Sequence, residues 1–163
     1  LYTLILYGFQ QQIRFNTNHG FNNPPGSRWF NECLLSKFIT FARCSRTKNI
    51  EYCNMSFDKL IEKITPDTLV YADPPYRSTL GVYNDGKRGF EGWTINHEHN
   101  LCMFLDKINE RGSRFMLSYV LKVNDFYNKE IATWAANNNY NVIDIEIPQG
   151  RYNNRKEVLI TNY

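Results

Sequence analysis

Several features that would assign a chain to a particular class of protein are missing from this sequence. Its four cysteines include no C-x-x-C pair, so no zinc or other metal site is predicted. No apolar run has the length of a membrane span and no secretory signal is present, so no membrane partner is expected. Free thiols and a cytoplasmic location are the simplest expectation from this pattern.

A large excess of charge of one sign is also absent, because 19 Lys and Arg residues are nearly balanced by 16 Asp and Glu residues. A net charge of +3 permits binding to nucleic acid without requiring it. Hydrophobic residues make up 42% of the chain, which is enough for a packed core and excludes a disordered tail. Eleven Tyr, eleven Phe and three Trp are many for this length, and one or two of these rings are candidates for stacking on bases.

Composition and periodicity change near residue 49, which suggests two regions, residues 1–48 and 49–163. Within the first, residues 14–31 are rich in Asn, Gly and Pro and predict loops and short hairpins, and residues 32–42 predict a helix. In the second, short apolar runs alternate with helical patterns, which predicts an α/β doubly wound sheet whose last two strands are antiparallel. Strands are expected at 50–53, 68–72, 113–118, 142–147 and 157–162, and helices at 57–64, 97–111 and 125–137.

The apolar run at residues 68–72 leads directly into Asp73-Pro74-Pro75-Tyr76. Ligands of open α/β sheets bind at the carboxyl ends of the strands, where this tetrapeptide is expected to lie. A carboxylate, a rigid backbone with outward carbonyl groups and an aromatic ring together suit an exocyclic amino group on a planar heterocycle. The alternative is an ordinary turn, which Asp-Pro-Pro also favours.

Four segments together resemble the Dam-like (D12 class, alpha group) DNA adenine N6-methyltransferases. The resemblance extends over the whole chain and is closest to the C-terminal part of such enzymes. The D-P-P-Y motif is moderately specific alone, whereas the ordered set is strongly specific. The segments are Asp73-Pro74-Pro75-Tyr76; Arg14-Phe15-Asn16 followed by Gly20-Phe21-Asn22-Asn23-Pro24; residues 53–58; and residues 154–162.

The resemblance implies a class I methyltransferase with a Rossmann-like sheet, S-adenosyl-L-methionine as cofactor and double-stranded DNA as partner. It implies a restriction-modification or Dam-type system in a prokaryotic or phage setting. Asp73 and the Pro74 carbonyl would bind the amino group of a flipped-out adenine, Pro75 would stiffen the segment, and Tyr76 would stack on the base. Ser56 and Phe57 would lie near the adenosine of the cofactor, and Asp73 near its methionine part.

Likeness to the same family marks residues for DNA contact. Phe15 would be a wedge beside the flipped base, and Arg14 and Asn16 would read base edges or grip phosphates. The alternative is that Phe15 belongs to a core and that Asn16 and Asn22 brace loops; for Asn22 the bracing role is favoured. Further candidates for phosphate contact are the cations Arg28, Arg77, Lys87 and Arg88.

The chain departs from the family in two respects. The Gly-rich F-x-G-x-G cofactor loop and the first sheet strands have no counterpart, so we expect an incomplete sheet with an uncovered edge and a complementary N-terminal segment or chain. Tyr119 stands where the family commonly has Asn. Three rival functions remain open: an adenine methyltransferase that acts on RNA, a DNA-binding remnant without catalytic activity, and a structural fragment with no activity.

Overall fold

The structure of the chain, a computed structural model, describes residues 2–16, 18, 20–77, 93–145 and 154–163. These residues form two compact units, and the chain passes from the first to the second between Asn54 and Met55. The roles that the family resemblance implies, a partial target-recognition segment for residues 1–48 and the catalytic half of the methyltransferase domain for residues 49–163, remain predictions.

The N-terminal unit contains two α-helices, α1 (Tyr2–Tyr7) and α2 (Glu32–Thr47), and a 3₁₀ helix at Phe9–Gln11. Asn31 begins α2, because its side chain accepts a 3.0 Å hydrogen bond from the backbone N–H of Leu34. The segment between the helices folds back on itself through antiparallel bridges, at Gly8 with Pro25 and at Phe15 with Phe21. The predicted helix at 32–42 is thus confirmed, and it continues to Thr47.

The C-terminal unit alternates strands and helices, as the sequence predicts. A 3₁₀ helix and a short strand come first, and the chain then runs through two longer α-helices and four further strands. In chain order these elements are the 3₁₀ helix Phe57–Lys63, β1 (Leu69–Ala72), α3 (Ile95–Glu110), β2 (Arg114–Val123), β3 (Phe126–Tyr127), α4 (Lys129–Asn137), β4 (Asn141–Ile145) and β5 (Arg155–Thr161).

The five strands form one mixed sheet in the order β1-β2-β5-β4, with β3 paired to β2. Strands β1 and β2 are parallel, and Ala72 lies beside Leu117 at the end of their pairing. Strands β2, β5 and β4 pair antiparallel, so the expected antiparallel pairing of the last two strands is confirmed. The fold is therefore mixed α/β, and its doubly wound, Rossmann-like character remains a prediction.

Two predicted elements differ from the structure. The strand expected at residues 50–53 is wrong: this segment has no regular structure, and its apolar side chains Ile50 and Tyr52 are 43% and 67% exposed. The helix expected at 125–137 begins only at Lys129, because Phe126 and Tyr127 pair with β2 instead. Helical spacing of apolar residues indicated the helix, but pairing with β2 decided the structure of its first residues, and the apolar run at 50–53 has no strand partner among the described residues.

The core of the C-terminal unit is built from side chains of α3, α4, β2 and β5. On β2, Phe115, Leu117 and Tyr119 are buried at every second position, as expected for a strand with one face against a core. On α3, Leu101, Leu105 and Ile108 follow helical spacing. The full buried cluster also includes Trp93, Cys102, Phe104, Leu121, Ile131, Ala135, Tyr140, Val158 and Ile160. Among the described helices, none has the length and apolarity that crossing a membrane requires.

The packing of this core predicts that substitutions at two nearby positions of α3 differ strongly in their effect on the free energy of unfolding. Leu105 is 0% exposed, so Leu105→Ala should lower the free energy of unfolding by about 2–5 kcal/mol through lost burial and a residual cavity. Met103 is on the same helix but 58% exposed, so Met103→Ala should change it by less than about 0.5 kcal/mol. Urea denaturation of both variants measures the difference, and equal losses would contradict this description of the core.

Candidate functional site

Asp73-Pro74-Pro75-Tyr76 begins where β1 ends. Because Ala72, the last residue of β1, pairs with Leu117 of the parallel strand β2, the tetrapeptide lies at the carboxyl edge of the parallel pair. Both Asp73 and Pro75 are exposed, whereas Pro74 and Tyr76 are half-buried. A carboxylate that faces solvent at this edge is available to a ligand.

Tyr76 is fixed by a hydrogen bond to the first residue of the motif. Its hydroxyl donates to the Oδ1 atom of Asp73 at 2.7 Å. Burial, together with the hydrogen bond to Asp73, raises the pKa of Tyr76 to about 12, although a hydrogen bond with Ser118 acts in the opposite direction. The hydroxyl therefore stays protonated at neutral pH and remains a donor, so Asp73 and Tyr76 are held as a unit.

Two side chains from the rest of the sheet contact the ring of Tyr76. The ring of Tyr119, on β2, meets it edge to face, with centroids 5.4 Å apart and planes at 75°. The guanidinium carbon of Arg155, on β5, lies 5.9 Å from the ring centroid, at the limit of a cation–π contact. From the sequence, Tyr119 was noted only as a departure from the family pattern, and Arg155 was not named as a site residue.

Arg77, directly after the motif, is held by carboxylates of the same chain. Its Nη2 donates to Glu130 Oε2 at 2.9 Å, and its Nε lies 3.5 Å from Glu98 Oε2. The guanidinium also lies 5.3 Å from the ring centroid of Phe126. Arg77 was expected to contact DNA phosphates, but its side chain is only 20% exposed and faces two acidic groups, so this geometry favours an anchoring role.

Glu98 is the acidic group at the centre of these contacts, and it is completely buried. Its Oε1 atom accepts hydrogen bonds from the Tyr119 hydroxyl and, at 2.7 Å, from the Asn128 amide. Sequence reasoning missed it, although a signal existed. Glu98 precedes Leu101 and Leu105 by three and seven residues, so it is a charged residue within the apolar stripe of α3.

Ser56 and Phe57, the predicted adenosine contacts, line a cavity of about 460 Å³ that does not include any of residues 73–77. The ring of Phe57 packs against Phe104 at 5.4 Å between centroids. A hydrogen bond from Ser56 lowers the pKa of the neighbouring Asp58, so this carboxyl is ionised at neutral pH. Other lining residues are Ile61, His97, Asn100, Met103 and Lys107. Aromatic surface beside an ionised acceptor suits a nucleoside, with a planar base and hydroxyl groups.

The predicted DNA-recognition residues form a small hairpin in the N-terminal unit. The backbone N–H of Asn16 donates to Gly20 at 2.9 Å, and that of Asn22 donates to the Arg14 carbonyl at 2.8 Å. The amide oxygen of Asn16 accepts hydrogen bonds from the backbone N–H groups of Gly20 and Asn18, at 2.9 and 3.0 Å. Asn16 therefore braces the turn, as the alternative interpretation expected, while its base-reading role remains a prediction.

Side chains of the hairpin differ in how far they are exposed to solvent. The ring of Phe15 is half-buried and meets Phe21 edge to face at 6.1 Å, whereas the side chains of Arg14 and Asn22 are exposed. Arg28, also exposed, lines a separate cavity of about 300 Å³ in the same unit. The remaining predicted phosphate contacts, Lys87 and Arg88, lie outside the described residues.

Comparison with known proteins gives three relatives from restriction-modification systems. The chain is 36% identical to the type II methyltransferase M.FokI of Planomicrobium okeanokoites, 37% to the modification methylase LlaI of Lactococcus lactis subsp. lactis and 35% to the modification methylase StsI of Streptococcus sanguinis. Each alignment covers 100% of this chain and 26% of the relative. The chain thus spans about a quarter of the length of these proteins.

A family match agrees with these relatives. Residues 1–152, most of the chain, match the family described as D12 class N6 adenine-specific DNA methyltransferase. This span contains the hairpin of the N-terminal unit and the Asp73–Tyr76 pair at the carboxyl edge of β1. The chain therefore belongs to the D12 class of N6 adenine-specific DNA methyltransferases.

Proposed function

We propose that this chain supplies the catalytic motif of a site-specific DNA adenine N6-methyltransferase of a restriction-modification or Dam-type system. The observation that carries the proposal is the Asp73–Tyr76 pair, an exposed carboxylate joined to a half-buried ring at the carboxyl edge of β1. Membership of a family of DNA methyltransferases supports DNA as substrate, and no feature of the described residues favours RNA.

In this proposal Asp73 and the Pro74 carbonyl bind the two N–H bonds of the adenine amino group. The Tyr76 hydroxyl occupies one lone pair of Asp73 Oδ1, and a carboxylate with about four acceptor positions has capacity for a further donor. Two acceptors on the N–H bonds draw electron density toward N6 and fix the direction of its lone pair. Most of the rate enhancement would then come from positioning and electrostatics, because the nitrogen attacks directly.

Tyr76 contributes its aromatic ring to the same step. An adenine inside the duplex cannot present its amino group, so the base must leave the stack and find a new stacking partner. The ring is partly exposed, and its hydroxyl is tied to Asp73, so the stacking surface and the hydrogen-bond acceptor have a fixed relation. The Tyr76 ring would therefore stack on the face of the base while Asp73 binds the amino group at its edge.

The cavity at Ser56 and Phe57 is the proposed contact for the adenosine part of S-adenosyl-L-methionine. Phe57 offers a ring to the purine, and the ionised Asp58 offers an acceptor to ribose hydroxyls. Asp73 is the proposed contact for the methionine part. When bound, the cofactor supplies an activated methyl group on a sulfonium. The described residues of this chain provide the base-binding groups and part of the cofactor pocket.

DNA contacts are proposed for the hairpin of the N-terminal unit. Phe15 would fill the space of the extruded base, and the exposed Arg14 would contact a phosphate or a base edge. Asn16 and Asn22 hold the hairpin through the hydrogen bonds at residues 14–22, so their contribution would be mainly to its shape. Arg28, Lys87 and Arg88 remain proposed phosphate contacts.

The first prediction from the proposed function concerns Asp73. In the protein that contains this sequence, Asp73→Ala should lower the transfer of labelled methyl groups from S-adenosyl-L-methionine to duplex DNA by about 100-fold or more. Asp67, exposed and just before β1 as Asp73 is just after it, gives the matched control. Asp67→Ala should keep full activity. Methyl transfer that survives Asp73→Ala unchanged would rule out the proposed role of this carboxylate.

Substitutions at Tyr76 separate the ring from the hydroxyl. Tyr76→Ala should remove a stacking contribution of about 1–3 kcal/mol, seen as a smaller fluorescence rise of 2-aminopurine placed at the target adenine. Tyr76→Phe keeps the ring but frees Asp73 from its hydrogen bond, so base extrusion should persist while methyl transfer slows. The stacking role would be refuted by a fluorescence rise that is the same in Tyr76→Ala as in the wild type.

A third prediction addresses the wedge. Phe15→Ala should reduce the 2-aminopurine signal on specific DNA, because the gap left by the extruded base would no longer be filled. Phe21→Ala removes the same edge-to-face ring contact from the opposite side of the hairpin and is the matched control. A larger loss for Phe15→Ala is expected. Equal losses would mean that Phe15 serves only to stabilise the hairpin.

A further inference from the structure

Glu98 lies outside the proposed catalytic motif, yet it is a completely buried carboxylate with groups from three elements around it. The Tyr119 hydroxyl of β2 and the Asn128 amide, which precedes α4, donate to its Oε1 atom. The guanidinium Nε of Arg77 lies 3.5 Å from its Oε2 atom. A buried charge is unfavourable unless it is paired and hydrogen-bonded, so this arrangement requires all its partners to stay in place.

Two of these partners lead directly to the catalytic motif. Tyr119 packs its ring against Tyr76 at 5.4 Å, and Arg77 is covalently next to Tyr76. The carboxylate of Glu98 is therefore connected to Tyr76 in two ways. One is through Tyr119, whose ring packs against the Tyr76 ring, and the other is through Arg77, the next residue in the chain. Tyr76 in turn holds Asp73 through the 2.7 Å hydrogen bond.

We infer that Glu98 is a positioning residue, whose buried carboxylate fixes Tyr119 and Arg77 and thereby sets the orientation of the Tyr76 ring beside Asp73. It touches neither base nor cofactor in the proposed mechanism. Its consequence for methyl transfer rests on the proposed function, whereas its effect on the orientation of Tyr76 does not.

Glu98 suits this role because its own position is strongly determined. It lies in the first turn of α3, where the helix dipole favours a negative charge, and Thr94 caps that turn through hydrogen bonds with His97. Asn128 connects it to the start of α4, because the same Asn128 side chain accepts the N–H of Ile131 at 3.1 Å. The carboxylate is thus fixed relative to two helices before it contacts the motif.

Tyr119 is the distinctive part of this network, since it stands where the family resemblance leads us to expect Asn. Its phenol is 1% exposed and reaches from β2 to Glu98 while its ring contacts Tyr76. Burial, together with the hydrogen bond to Glu98, raises the pKa of Tyr119, so the hydroxyl remains a donor at every pH near neutrality. Loss of this hydroxyl leaves the ring in place but releases it from the carboxylate.

The same helix contains a second carboxylate–tyrosine pair, which serves as a matched control. Asp106 of α3 accepts hydrogen bonds from the Tyr140 hydroxyl and the Trp134 indole, each at 2.9 Å. The chemistry and the helix are the same, but the ring contacts of Tyr140 are with Phe115 and Trp134 and not with the catalytic motif. Tyr119→Phe and Tyr140→Phe remove equivalent hydroxyl groups, but only the ring of Tyr119 contacts Tyr76 of the catalytic motif.

The test places a fluorotyrosine at position 76 in the protein that contains this chain and records its fluorine NMR resonance. Tyr119→Phe and Glu98→Gln should shift and broaden the resonance, whereas Tyr140→Phe and Asp106→Asn should leave it unchanged. In the same proteins without the label, Tyr119→Phe should lower kcat for methyl transfer by about tenfold, with KM for DNA within about twofold, as expected for a misplaced catalytic group. Tyr140→Phe should leave both constants unchanged.

The outcomes separate this inference from the proposed function. An unchanged resonance in Tyr119→Phe, or an equal shift in Tyr119→Phe and Tyr140→Phe, overturns the positioning role whatever the activity. A shift in Tyr119→Phe and in folded Glu98→Gln that is absent from Tyr140→Phe and Asp106→Asn supports it, even if Asp73→Ala shows that methyl transfer does not depend on this motif, whereas an unchanged resonance in folded Glu98→Gln overturns it. If Glu98→Gln does not fold, Tyr119→Phe decides alone, because it keeps the Glu98 carboxylate and its Arg77 partner.

Discussion

A carboxylate withdrawn from water needs partners that offset its charge, and the Glu98 carboxylate has a phenol and an amide as hydrogen-bond donors and a guanidinium 3.5 Å away as an ion-pair partner. These partners come from β2, from the start of α4 and from the residue that follows the D-P-P-Y motif. The requirement of one charge therefore joins the sheet, two helices and the motif into a single arrangement. Without it, the packing of the core would still bury Leu105 and Ile108, but it would not determine how Tyr76 faces Asp73.

Much of the C-terminal unit could be predicted from the sequence, because its signals are local. The apolar run before Asp73 forms β1, the stripe at Leu101, Leu105 and Ile108 lies on the buried face of α3, and the last two strands pair antiparallel. The prediction of a strand at 50–53 was wrong because a strand also needs a partner elsewhere in the chain, which no local signal supplies. Apolar alternation there met no strand partner in the described part of the chain, and a strand without a partner leaves its backbone groups unpaired.

The site was predictable only where its residues are adjacent in sequence. Asp73 and Tyr76 are three residues apart, and their contact follows from the motif. Glu98 and Tyr119 are far from it along the chain, and only the pairing of β1 with β2 brings Tyr119 to Tyr76. Arg77 shows the converse: a cation beside a catalytic motif suggests a phosphate contact, but a buried carboxylate, Glu98, and an exposed one, Glu130, decide where it points.

The segment from Asp73 to Arg77 is fixed at both ends, by the pairing of β1 with β2 at one end and by the ion pairs of Arg77 at the other. In the proposed function, in which the target base leaves the duplex, such a preformed segment has a consequence for the DNA. Because this segment has little left to rearrange, the free energy of opening the base pair would fall mainly on the duplex itself. Adenines in weakly paired or easily deformed steps would then enter most readily, so the mechanical properties of the target sequence would contribute to selectivity at positions that no side chain touches.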